Sequence, residues 1–484
     1  MSISINTAQF RHLSMNTRFP FKYGIASMTS LPHVFLCVEM NFDGIIVQGI
    51  ASEGLPPKWF TKNPETTFEE DLPEMISVLS KALDFSKKIS ADTVFEFWVQ
   101  LYELQDHWAR EEKVPFLLAH LGSSLVERAF IDAFCRTSKK TFHEILYKND
   151  MGINLGYFYD ELKDSQPSDW LPDKPLNQII ARHTVGLGDP LLRSEISEND
   201  RCQDGLPQSL DEVIEQYNIS YFKIKICGQI EVDLPRLESI ANLLLSKIKN
   251  FKFTLDGNEQ FPSISEFRTH WERLKEHALL DSLLNERHLL FVEQPLHRDY
   301  ALNDTVAHEI NNWDECPAMI IDESDGELTS LNRALELGYR GTSHKNCKGV
   351  FKGIANSCKI QFNRENKEGK WIMSGEDLAN VGPVALLNDL TVMSSIGINH
   401  VERNGHHYFS GLSMFDKDLQ KKICLAHPDI YSFGQLDFPS LIINNGLISL
   451  DSLTKSAFGC GLELDEENIK KFGDLGMVPE NWKS

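Results

Sequence analysis

The chain has 484 residues, 42% hydrophobic and 24% charged, with a formal net charge of −22. That length suffices for two or three domains with a large core. The acidic balance argues against a nucleic-acid partner, which needs a basic footprint, and against binding to an anionic membrane surface.

No stretch approaches the roughly 18 unbroken apolar residues of a membrane span. The opening MSISINTAQFRHLSMN lacks a charged region followed by an apolar core, so no signal peptide is expected. Nine cysteines, an odd number without a C-x-x-C pair, fit reduced, buried thiols and a cytoplasmic location.

Residues 34–40 (VFLCVEM) and 44–50 (GIIVQGI) are strand-like, and Asn41-Phe42-Asp43-Gly44 between them is a turn signal. An antiparallel hairpin or meander is expected there. Over 67–107 the apolar residues fall at three- and four-residue steps, beginning Phe68, Leu72, Met75, Ile76 and Leu79, which predicts helix. Strands followed by helices predict a small α+β domain over residues 1–120. Gly122-Ser123-Ser124 predicts a helix start ahead of LVERAFIDAF, which would place Leu125, Ala129, Phe130, Ala133 and Phe134 on one face. Residues 148–175 and 193–207 are polar and turn-rich and read as surface excursions.

From residue 179 strands and helices alternate. Strands are expected at 179–186, 221–226, 251–256, 289–293, 318–322, 339–345, 371–374 and 398–402. Eight strands in strict alternation with helices favour a closed parallel barrel over residues 121–440. No G-x-G-x-x-G or P-loop follows any of them, which disfavours a nucleotide-binding sheet. An apolar run at 441–448 and AFGCGLEL at 457–464 predict that residues 441–484 return to cover the first domain.

The strand YFKIKI at 221–226 carries Lys223 and Lys225 two apart, hence on one face. On an edge strand that face would meet water; inside a barrel, each lysine would need a partner. The next three strands each end in a carboxylate: Asp256 in LDGN, Glu293 in VEQP and Asp322 in DES. They stand about one β/α unit apart, at the strand ends where parallel barrels build active sites. Three converging acids repel one another unless a cation neutralises them, and an all-oxygen set suits Mg²⁺. One unit later the strand at 339–345 carries Lys345, on the far side of a closed barrel from Lys225. A lysine near a divalent cation and out of bulk water is pushed toward its neutral form, as a general base requires. Two such lysines would take a proton from one face of a carbon acid and return it to the other, the metal holding the enolate oxygens.

The ordered set KIK, LDGN, VEQP, DES resembles that of the enolase superfamily, and within it the muconate-lactonizing-enzyme-like subgroup of the mandelate racemase/muconate lactonizing enzyme family. The likeness covers nearly the whole chain. RFPFKYG and SEGLPPKW resemble the substrate-covering loops of the family's capping domain, LVERAFIDAF its helix leading into the barrel, and FGCGLELDE its closing segment. A Lys or His base working beside Mg²⁺ on an ene-diolate is a general property of that superfamily, not a reading of this sequence.

The resemblance implies an α/β fold, a modified (β/α)8 TIM-type barrel with an N-terminal α+β capping domain. It implies Mg²⁺ on Asp256, Glu293 and Asp322, with Asn258 and Glu323 behind these ligands. Lys225 and Lys345 would be the opposing acid/bases and Lys223 a helper. Phe21, Tyr23 and Trp59 from the cap and Glu402 from the last strand would touch substrate, Glu402 holding an ammonium group as in the family's dipeptide epimerases. Phe19, Lys58, Glu376, Asp377, His406 and His407 lie in the same specificity regions. The partner would be a small-molecule carboxylate, and a homo-oligomer is compatible with it.

Racemisation or epimerisation is the default outcome of two bases. Cycloisomerisation and acid-sugar dehydration share the half-reaction, and a catalytically inactive enolase-like binding protein is the reading from another class. Two departures stand out. The family usually follows the sixth-strand lysine with a basic residue and a Gly-Gly pair, whereas SHKNCKGVFKG has a single Gly349 shifted by one place. Lys345, His344 and Lys348 therefore all compete for the second base. The loops after the first and eighth barrel strands are also longer than usual.

Overall fold

The structure, a computed structural model, describes residues 2–462 and 473–474. Three strands, β1 (Ile3–Tyr23), β2 (Ala26–Phe42) and β3 (Ile45–Gly54), form an antiparallel meander. Asp43 and Gly44, both at positive φ, make the β2–β3 turn, and Asn41 Oδ1 accepts from Gly44 N at 2.7 Å. This is the asparagine-to-glycine turn chemistry of tight hairpins.

The helical stretch expected over 67–107 is formed by two helices, Phe68–Ser86 and Val94–Glu112. Thr67 and Glu70 start the first with a reciprocal capping box, and Thr93 caps the second. The break lies where Ile3 and Ala91 exchange backbone hydrogen bonds of 2.9 and 3.2 Å. Pairing with β1 pulls the chain out of helix there.

The expected helix start at Gly122-Ser123-Ser124 is corrected by the structure. The helix runs Phe116–Ser138, with Pro115 at its N-cap, and Gly122 to Ser124 lie buried inside it. Ser123 Oγ and Ser124 Oγ donate back to His120 O and Leu121 O, so neither is free to cap. Gly122 marks a close helix–helix approach: a Cβ there would stand 2.2 Å from Val78 O. Gly122→Ala is therefore expected to destabilise the chain by about 1–3 kcal/mol through overpacking, read from urea unfolding midpoints. The same helix accepts Ile50 N on Asp132 Oδ2 at 3.0 Å, which ties it to the capping sheet.

Eight parallel strands follow: β4 (Gln178–Val185), β5 (Tyr221–Lys225), β6 (Lys252–Asp256), β7 (Leu289–Glu293), β8 (Met319–Ile320), β9 (Gly341–His344), β10 (Ile372–Gly375) and β11 (His400–Arg403). They are ordered β8-β7-β6-β5-β4-β11-β10-β9, and a parallel bridge between Ile321 and Thr342 joins β8 to β9. The barrel and its N-terminal cap are thus the architecture expected from the alternation. The barrel strand ends differ from the sequence reading by two residues at most.

The apolar run at 441–448 lies on the barrel rather than the cap: Leu447–Ser449 pairs antiparallel with β4. The pairing with the cap is made further on, where Gly473–Asp474 lies antiparallel to β1. Of FGCGLELDE, only 458–462 falls within the described residues; there Arg136 donates to Cys460 O and Leu462 O. All nine cysteines are free thiols. Among the described residues no helix is long and apolar enough to cross a membrane.

Candidate active site

Register places the key side chains in layers. Lys225 pairs with Asp256, and Asp256 with Glu293, at the C-terminal ends of β5, β6 and β7; Lys223 lies one layer deeper, beside Thr254. Period-two alternation turns both lysines inward. Lys223 Nζ sits among four carboxylates: Glu376 Oε2 at 2.7 Å, Glu293 Oε2 at 2.8 Å, Asp256 Oδ2 at 2.9 Å and Glu402 Oε2 at 3.0 Å. Lys225 Nζ lies 2.6 Å from Asp256 Oδ2. All of these side chains are buried.

Burial opposes the charge on Lys223, but the four acids outweigh it and hold its pKa well above the usual lysine value. Burial also opposes charge on Glu402, and there Lys223 and Lys225 win, holding it well below the carboxylate range. Glu293 goes the other way: burial, with Asp256 and Glu376 beside it, pushes it well up.

On the far side of the ring the three residues expected to compete for the second base are placed differently. Ser343 points inward and its Oγ donates to Asp322 Oδ1 at 2.5 Å. His344 points outward, Nε2 2.9 Å from Asn346 Oδ1, against a helix where a Cβ on Gly353 would lie 2.2 Å from His344 Nδ1. Burial takes this imidazole down to about 4. Lys345 points inward again, pairs with Asp322 and lies 4.4 Å from the centroid of the Trp59 ring. Lys348 reaches Asp322 Oδ1 at 3.2 Å and Asp325 Oδ2 at 3.4 Å. Of the three, Lys345 lines the cavity at the barrel mouth, as does Lys225. Their strands, β5 and β9, lie four apart in a ring of eight, on opposite sides.

The cap closes this mouth. Phe21, Tyr23 and Trp59 line the cavity with Asp256, Asn258 and Asp322, and Glu402 lines it from β11. Phe21 stacks on Tyr408 with centroids 3.9 Å apart. Arg298 latches the Trp59 loop to the barrel, donating to Trp59 O at 2.9 Å and Phe60 O at 2.7 Å while paired with Glu259 at 2.7 Å. Lys62 adds a 3.3 Å pair to Glu259. About 40 Å³ remains free inside, room for about one water. A substrate therefore enters only when the cap loops lift. Arg298→Ala is expected to speed hydrogen exchange of residues 56–62 at least several-fold without lowering barrel protection, read by mass spectrometry.

Several expected contacts lie elsewhere. Phe19 packs on His407 and Tyr408, and Lys58 pairs with Asp71 at 2.6 Å. His406 and His407 are buried against His183. Glu376 lies deeper, between Lys223 and Arg182. Arg182 itself escaped the sequence reading. It is fully buried in β4, with Nη1 2.8 Å from His400 Nδ1, and continues the polar column down the barrel axis. The available signal was an arginine inside a strand assigned to a closed barrel. Asp377 and Asn404 also line the cavity; Asp377 pairs with Arg403 at 3.1 Å and accepts from Asn404 N.

Asp256, Glu293 and Asp322 offer only carboxylate oxygens, the donor chemistry of a hard cation. Asn258 Oδ1 and Glu323 Oε2 are buried beside them without hydrogen-bond partners. Asn258 Nδ2 donates to Glu323 Oε1 at 3.2 Å, and burial together with Asp322 pushes Glu323 up to about 7. The chemistry of the set thus fits Mg²⁺. In the arrangement described, no group of three or more His, Cys, Asp or Glu among the described residues is drawn together as a metal cage. Ammonium groups stand between the acids instead, Lys223 at Asp256 and Glu293 and Lys345 at Asp322.

Comparison with protein-family models and with curated proteins finds no match. Solved structures do match. The N-succinyl Arg/Lys racemase from Bacillus cereus superposes with a TM-score of 0.62 at 15% identity, over 98% of this chain and 98% of that one. The 2-chloromuconate cycloisomerase from Rhodococcus opacus gives 0.60 at 14%, over 97% and 99%. An enolase from Bradyrhizobium, complexed with magnesium and mandelic acid, gives 0.58 at 14%, over 98% and 99%. The chain has the fold of the enolase superfamily, cap and barrel together, matched along nearly its whole length by these structures and by a mandelate racemase/muconate lactonizing enzyme from Bordetella bronchiseptica.

Proposed function

We propose that this protein is a Mg²⁺-dependent enzyme that removes the proton α to a carboxylate, acting as a racemase or epimerase on a small carboxylic acid. One observation carries the reading: Lys225 and Lys345 reach the same cavity from opposite sides of the barrel, Lys225 beside Asp256 and Lys345 beside Asp322. Asp256, Glu293 and Asp322 would hold the metal, which when bound supplies Lewis-acid stabilisation to a substrate carboxylate. Lys225 and Lys345 exchange the α-proton, one removing it and the other returning it to the opposite face. For either to act as base its ammonium must lose a proton, so its pairing with Asp256 or Asp322 loosens when substrate binds. Trp59, Phe21 and Tyr23 exclude water above, and Glu402 faces the substrate's far end.

The kinds of ligand named for the matched structures, a mandelic acid and an N-succinyl amino acid among them, support a carboxylate substrate. The test is proton NMR in D₂O with Mg²⁺ and sets of N-acyl amino acids, dipeptides and hydroxy acids. Loss of the α-proton signal with configurational scrambling is the expected result; water loss or lactone formation would instead identify a dehydratase or a cycloisomerase. A second reading, an enolase-fold protein that binds without turnover, is favoured by the ion pairs that engage Asp256 and Asp322. Saturable carboxylate binding with no exchange in any substrate would select it.

A further inference from the structure

At the opposite end of the barrel, where the strands begin, lies a second cavity of about 600 Å³. That is within the roughly 300–1,000 Å³ of ordinary ligand sites, whereas the closed mouth above has room for little more than a water. The α-proton chemistry uses none of it. Its walls include the rings of Trp170, Phe291 and Trp371.

Arg364 and Lys370 stand at its edge. Their contacts are to neutral oxygens: Arg364 Nε donates to Trp371 O at 3.0 Å and Lys370 Nζ to Leu290 O at 2.8 Å. Neither makes an ion pair among the described residues. Partial burial pushes Lys370 below the usual lysine value, against the attraction of Glu286 nearby. Two acids share the rim and keep their charge, each held by a neutral donor. Asp169 Oδ2 accepts Gln166 N at 2.7 Å, and Glu365 Oε1 accepts from Gln361 Nε2 at 2.8 Å.

The inner wall adds a donor. His400 Nδ1 is 2.8 Å from Arg182 Nη1. A guanidinium only donates, so Nδ1 accepts, and the neutral imidazole carries its proton on Nε2. Trp170 Nε1 and Ser357 Oγ, both on lining residues, are buried with no partner. Unengaged donors thus gather around an aromatic-walled space whose two cations lack ion-pair partners among the described residues.

We propose that this N-terminal mouth is a second binding site, for an anion (carboxylate or phosphate) carried on a flat apolar body. The full chain is titrated with phenyl phosphate, benzoate and inorganic phosphate by isothermal calorimetry. Saturable binding of phenyl phosphate or benzoate is expected, at least tenfold tighter than inorganic phosphate. It should weaken at least tenfold in the double variant Arg364→Ala, Lys370→Ala and persist in Lys225→Ala, Lys345→Ala. Should the first variant melt early, Arg364→Gln with Lys370→Gln keeps the volume and takes its place. Preference between the two aromatic probes assigns phosphate or carboxylate, and either supports the site. Absence of saturable binding, equal affinity for inorganic phosphate, unchanged affinity in both rim variants, or loss in the Lys225/Lys345 variant would each overturn it. Because the readout is binding at the opposite mouth, failure of the racemase reading leaves this result standing, and the reverse holds too.

Discussion

Lys345→Ala is expected to stop inversion of configuration while sparing exchange from one side. With only Lys225 left, a substrate of one hand still loses its α-proton and regains deuterium with retention, and its mirror image exchanges slowly. Loss of a positioned acid/base costs about 10²–10⁴-fold, so the two enantiomers should separate by that factor in α-exchange followed by NMR. Lys225→Ala should give the mirror-image pattern. This asymmetry is what distinguishes two bases on opposed strands from a single base with a loosely held substrate. His344→Ala and Lys348→Ala serve as controls, since His344 turns outward and Lys348 lies outside the lining of the cavity. If either of them erased inversion while Lys345→Ala retained it, the assignment of the second base would be wrong.

Lys223→Met carries the largest expected cost to stability. Removing the ammonium leaves Asp256, Glu293, Glu376 and Glu402 buried without their shared cation, and of these only Asp256, with Lys225, and Glu376, with Arg182, keep another. Breaking a buried ion pair from one side costs about 3–5 kcal/mol. The pH dependence has a definite sign. In the parent chain Glu402 is held low, so its contribution is present above the unfolded pKa and is lost as pH falls through the folded value. In the variant Asp256 keeps Lys225 and Glu376 keeps Arg182, but Glu293 and Glu402 lose the ammonium beside them and their folded pKa values rise, so the variant gains relative to the parent as they protonate. The gap in unfolding free energy is therefore expected to be widest near pH 7.5 and to narrow toward pH 5, measured by urea titration at each pH. Mg²⁺ should recover part of the loss if the same oxygens accept it. A variant as stable as its parent at pH 7.5 would show that the ring does not rely on Lys223.

Much of this architecture was legible beforehand. The turn at Asn41 to Gly44, the eight alternating strands and the shared face of Lys223 and Lys225 all follow from short-range pattern, because side-chain direction in a strand repeats every two residues. The helix start at Gly122 was misread because a glycine that permits close packing and one that ends a helix look alike in one dimension. Arg182 was passed over because nothing local distinguishes an arginine that spans a barrel from one at a surface.

The identity of the inward residue on β9 is the sharpest case. A shift of one place turns every side chain of a strand to the other face, and the lone Gly349 left the alignment of His344 and Lys345 ambiguous. The folded chain places Ser343 against Asp322 and Lys345 in the cavity, with His344 turned out to Asn346. The order of residue types along the chain thus specified the barrel and the polar character of its interior, since both rest on local periodicity. Which charges meet, how Lys223 comes to neutralise four acids, and which lysine faces Lys225 depend on register and closure, which exist only once strands far apart in sequence lie side by side.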